Sequence, residues 1–156
     1  MKPNLFMNFV SRLFGSAPEV PSPPNILDME DISYDPQTGT LAIKGIPKPF
    51  WLQTNPHNTD SMDGFFDVGH APILVARETL PDDYLCVGSI VSWESGNLSR
   101  FHQIVEVGED DNGWYCRTAG INLGTLDPPK LRKEHVKWIC LGILFTRPSS
   151  KILYHQ

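Results

Sequence analysis

"TNPHNTDSMDGFFDVGHAPILVA" (residues 54–76) joins two unlike kinds of chain. Its first half is polar and turn-rich and carries Ser61 and Met62. It then passes through Gly69 into the apolar run Ile73 to Ala76. A short apolar run bounded by turn residues reads as a buried strand. A polar loop at the mouth of such a strand is where site residues usually lie. The question posed by this stretch is whether Ser61 has a chemical role.

The rest of the chain supports a mainly β reading. "DISYDPQTGTLAIKGI" (31–46) alternates on both sides of a "DPQTG" turn, the pattern of a hairpin. "PFWLQT" (49–54) and "GSIVSWE" (88–94) read as strands, with "RETLPDDY" (77–84) as a spacer. "FHQIVEVGEDDNGWYCRTAG" (101–120) reads as a second hairpin with "GEDDNG" as a solvated turn. "TLDPPKLRKEHV" (125–136) has room for one helical turn, and "KWICLGILF" (137–145) is a final buried strand. Fourteen prolines and twelve glycines fit many short strands rather than long helices. The expected fold is a curled or barrel-like antiparallel sheet over residues 26–156.

The first residues differ. Leu5, Phe6, Phe9, Val10, Leu13 and Phe14 recur at helical spacing, so residues 1–15 read as a short amphipathic helix. Residues 16–25 form a Pro-rich linker. The apolar face of that helix has three readings: folding back on the main domain, docking through residues 1–24 on a partner, or lying in a membrane interface, the last disfavoured because the polar face holds only Lys2 and Arg12 as cations.

Several classes are disfavoured. The net charge is −5 and no Lys/Arg block tracks a phosphate backbone, which argues against nucleic acid. Cys86, Cys116 and Cys140 form no C-x-x-C pair, and the five histidines lack ligand spacing, so no metal site or cofactor is expected and the thiols read as buried and free. No apolar run reaches the roughly 18 residues of a transmembrane anchor.

A serine needs a base to become a nucleophile. No lysine occurs between Lys48 and Lys130, so a local Ser–Lys pair has no candidate on the strands that follow Ser61. His102 lies in the β-patterned "RFHQIVEV", and Asp127 follows in "AGINLGTLDPP". Taken singly, each is an ordinary residue: a loop serine, a surface or core histidine, a turn aspartate. Their combination is what raises chemistry.

In that combination the chain resembles a known family. "SMDG…VGHAPILVA", "VGSIVSWE", "RFHQIVEV", "RTAGINLGTLDP" and "VKWICLGILF" follow in the order seen in type I signal peptidases. The likeness spans roughly residues 54–145 and is nearest the archaeal and endoplasmic-reticulum branch. That branch uses histidine where bacterial enzymes and LexA-like proteases use lysine. The resemblance implies a signal-peptidase-type β fold and a serine endopeptidase acting on a peptide or protein substrate. It implies Ser61 as nucleophile, His102 as general base and Asp127 as the carboxylate that orients it, with Thr59 helping to hold the oxyanion. It also points to soluble phage-encoded members, which would place the chain in a host cytoplasm or a virion.

His70 stands where that family carries an acidic residue and reads as a surface turn residue. Three departures stand against the pattern: Gly64 replaces a proline, Gln103 an arginine, and Ile121 the first aspartate of a Lys-Gly-Asp-Asn motif. An isoleucine cannot accept a hydrogen bond there. The competing expectation is therefore an inactive protease-fold scaffold serving in viral assembly through residues 1–24. LexA-type self-cleavage is disfavoured, because no Ala-Gly or Cys-Gly pair precedes Ser61.

Overall fold

The computed structural model describes residues 22–53, 60–63, 65, 67–95 and 98–146. The amphipathic segment 1–15, the linker up to residue 21, Thr59 and Gly64 lie outside the described residues.

The chain is mainly β, and every strand pairing is antiparallel. β1 (Ile32–Asp35) and β2 (Thr40–Ile43) form a hairpin of their own. Asp35 shapes its turn by accepting from the Gln37 N–H at 2.9 Å and the Thr38 hydroxyl at 2.6 Å. The main sheet runs in the order β3 (Phe50–Leu52), β4 (Ala71–Ala76), β8 (Val136–Leu144), β5 (Ile90–Ser95), β6 (Leu98–Asp110), β7 (Gly113–Ala119). No pairing joins β3 to β7 among the described residues, so this sheet keeps two edges and does not close into a barrel.

The uninterrupted apolar character of β4 has a simple cause: all six of its residues are buried. Neighbouring residues in a strand point to opposite faces. Val75, Val91 and Ile139 join one apolar cluster with Trp93 and Ile104, while Leu74, Ile90 and Cys140 join a second with Met62. Both faces of the central strands are thus covered, and each fully buried aliphatic contributes roughly 1.5–3 kcal/mol. Ile26 and Ile46, which flank the first hairpin, pack against the larger cluster.

The second hairpin is longer and tighter than the sequence pattern suggests. β6 continues to Asp110 and β7 restarts at Gly113, leaving Asp111 and Asn112 as the turn. Asp110 is not simply solvated. It meets Lys130 Nζ at 2.8 Å and Arg132 at 2.9 Å, and Arg132 also donates to the carbonyls of Gly113 and Trp114. These bonds bind the returning segment to β7, where Leu131 and Cys116 exchange backbone hydrogen bonds of 2.9 Å. The Lys130 hydrogen bond, with help from Asn112 and Arg132, lowers the Asp110 carboxyl to about 2. A carboxyl lowered on folding stabilises the native state above its ordinary pKa and loses that contribution as pH falls through the folded value. Thermal melts between about pH 4 and pH 2 should therefore fall more steeply for the wild type than for Asp110→Asn. Parallel slopes would remove this tie from the account.

The helical turn expected before the last strand is a 3-10 turn at Lys133–His135. All three cysteines are free. Cys116 and Cys140 are buried, and burial pushes both thiols up to about 12. Cys86 is only half-buried, because it sits in the loop before β5 beside Ser89. No helix among the described residues is long and apolar enough to cross a membrane.

Candidate active site

Ser61 sits in a tight reversal of the chain just before β4. Asp60 has φ 54°, a left-handed conformation that Asp tolerates better than most residues. The Phe65 N–H closes the turn by donating to the Met62 carbonyl at 3.0 Å. Met62 is buried with Leu74, Ile90 and Cys140, so its side chain anchors the loop to the sheet while Ser61 is left at its lip.

His102 is placed by the ladder. It pairs with Val91 of β5 and shares a face of β6 with Ile104, two residues on. Ile104 pairs in turn with Thr118 of β7, which puts Thr118 diagonally beside His102 on the same face. Asp127 reaches the site from the segment that returns along β7: its N–H donates to the Thr118 carbonyl at 2.8 Å.

The structure brings the three residues singled out from sequence into one hydrogen-bonded line. His102 Nε2 lies 3.1 Å from Ser61 Oγ, and His102 Nδ1 lies 2.7 Å from Asp127 Oδ2. Ser61, His102 and Asp127 are all buried, at 7%, 4% and 7% exposure. An ionised carboxylate only accepts hydrogen bonds. With the carboxylate ionised and the imidazole neutral, Nδ1 carries the proton and the Nε2 lone pair faces the serine hydroxyl. That is the tautomer a general base requires.

Three further residues support the loop, and sequence reasoning did not find them. The Asn122 backbone N–H donates to the Ser61 carbonyl at 3.1 Å, and its side-chain amide donates to the Asp60 carbonyl at 3.0 Å. Gly120 lies under Ser61 so closely that a Cβ there would stand 2.5 Å from the Ser61 carbonyl oxygen. The third, Thr118, is fully buried and donates its hydroxyl to Asp127 Oδ2 at 2.6 Å. The signal for Gly120 and Asn122 was the "GIN" of residues 120–122, where attention fell on Ile121. Ile121 is 42% exposed. Thr118 had no sequence signal.

The departures have structural uses. Gln103 donates to the Gly88 carbonyl at 3.1 Å and ties β6 to the turn before β5. His70 accepts from the Asp67 N–H through Nδ1 and packs edge-on against Phe145 at 4.8 Å, so it serves its own turn. Near Ser61, burial and the charges of Asp60 and Asp67 raise the Asp63 carboxyl. No His, Cys, Asp and Glu group among the described residues is arranged to hold a metal ion.

No family model matches this chain, and neither do the curated proteins or the solved structures.

Proposed function

We propose that this protein is a serine endopeptidase of the signal peptidase and LexA-like kind, using Ser61, His102 and Asp127. The observation that carries the reading is the buried Ser61–His102–Asp127 line, with legs of 3.1 and 2.7 Å. Both legs lie within hydrogen-bond reach, which is the geometric requirement for a nucleophile and its base. The antiparallel β architecture and the order of the motifs are compatible with that superfamily, and its curled sheet shape belongs to the proposal.

The chemistry follows from the tautomer. Ser61 Oγ attacks the scissile carbonyl carbon while its proton passes to His102 Nε2. Asp127 stabilises the imidazolium that forms. The tetrahedral intermediate collapses, the C–N bond breaks, and the Nε2 proton goes to the leaving amine. Water then attacks the acyl-serine ester. His102 takes the water's proton, and the proton returns to Ser61 Oγ as the acid departs. The Ser61 backbone N–H is the nearest donor proposed for the oxyanion, with Thr59 as its partner.

A peptide mixture incubated with the chain and read by mass spectrometry tests this. Wild type should generate new termini, preferentially beside small side chains, and Ser61→Ala should generate none while melting at a similar temperature. Identical product patterns in both would reject the proposal. The rival reading, a phage assembly scaffold that docks through residues 1–24, rests on Ile121, Gly64 and the apolar N-terminal segment on its Pro-rich tether, and predicts no products from either chain.

A further inference from the structure

We infer that Thr118 is a positioning residue for Asp127; this rests on the proposed reading of the Ser61 site. A carboxylate held only by a histidine can still swing about its two side-chain torsions. Asp127 is held from two sides. Oδ2 accepts from His102 Nδ1 at 2.7 Å and from the Thr118 hydroxyl at 2.6 Å. Both donors converge on one oxygen, so its position fixes the plane in which the imidazole lies.

Thr118 suits this task for reasons of chain geometry. It lies on β7, which pairs with β6, the strand that carries His102, so donor and base share one rigid frame. Its side chain is β-branched and stiff about χ1, which holds the hydroxyl in place without ordering a long side chain. The residue is 0% exposed, so water does not compete for the bond. The Asp127 N–H to Thr118 carbonyl bond of 2.8 Å pins the two backbones together as well.

Two substitutions separate positioning from packing. Thr118→Val keeps the shape and deletes the donor, while Thr118→Ser keeps the donor and deletes a methyl. Two readouts are taken on the full chain: phosphonylation of Ser61 by a fluorophosphonate, which stands in for acylation by a substrate, and the low-field proton resonance of His102 Nδ1–H. Loss of a group that orients a site residue typically costs 10- to 100-fold. Thr118→Val should slow acylation by about that factor and shift or broaden the Nδ1–H resonance. Thr118→Ser should stay within about threefold of wild type and keep the resonance in place. The inference is overturned if Thr118→Val leaves the resonance unmoved, or if Thr118→Ser is as damaged as Thr118→Val. The resonance does not require catalysis. A wild-type chain that fails to acylate would therefore count against the proposed function, and the Thr118 comparison would still be decided.

Discussion

His102→Ala is expected to slow acylation of Ser61 by about 10⁴- to 10⁶-fold while the sheet stays folded. Among the described residues the His102 imidazole is the base in line with the serine: Nε2 faces Oγ at 3.1 Å, and His70 is committed to the Asp67 turn. Without it the hydroxyl keeps its proton and remains a poor nucleophile. The substitution also removes one of two donors to a buried carboxylate. Leaving a buried polar group short of a partner costs about 1–3 kcal/mol, so the melting temperature should drop by several degrees. Thr118 keeps Asp127 from being abandoned altogether. The rate is read from the adduct mass over time and the stability from a thermal melt. A rate within tenfold of wild type would mean that His102 is a core residue and no base.

Gly120→Ala carries the second large effect, and it works through distance rather than chemistry. The added Cβ would lie 2.5 Å from the Ser61 carbonyl oxygen and 3.1 Å from the Ser61 Cβ. Backbone against backbone gives little, so the nucleophile loop or the 120–122 turn must move. Overpacking of this kind costs typically 1–3 kcal/mol. A displacement of about 1 Å at a reacting group can cost around 100-fold in rate. The expected result is a loss of roughly 100-fold in Ser61 acylation with a modest fall in melting temperature. Gly142→Ala is the matched control, because a Cβ there meets nothing within 4 Å. Equal effects from the two substitutions would show that the close approach at Gly120 has no bearing on the site.

These two predictions also mark what the sequence could reveal. His102 was legible because a histidine inside a β-patterned run, following a serine loop and preceding an aspartate loop, occurs in a recognisable order. The strands were legible for a local reason: "APILVA" is apolar throughout because both of its faces are covered. The "DPQTG" turn signalled its own hairpin in the same way. Gly120 was not legible as a contact. Its demand comes from Ser61, far away in the chain, and a glycine after β7 reads equally well as a plain turn. Thr118 is hidden for the same reason, since a threonine in a strand is expected on propensity alone.

The sheet order shows the same limit. β8 lies between β4 and β5, although it is the last of the described strands in sequence. No local pattern in "KWICLGILF" reveals which neighbours it will take. The second hairpin turned out tighter than "GEDDNG" implied because Asp110 is held by Lys130 and Arg132, cations from a segment that follows β7. Long-range electrostatic ties of this kind leave no periodicity to read. Local patterning therefore delivered the elements, the resemblance in motif order pointed to the three central side chains, and tertiary contacts supplied the parts that hold them in register.

The most direct test of the account is covalent. The full chain is treated with a fluorophosphonate in mildly alkaline buffer, and the adduct is located by peptide mapping. Ser61 Oγ should attack phosphorus, fluoride should leave, and the serine proton should pass to His102. The account predicts one adduct, on Ser61, absent from Ser61→Ala. No adduct on Ser61, or equal labelling of the Ser61→Ala chain, would contradict it.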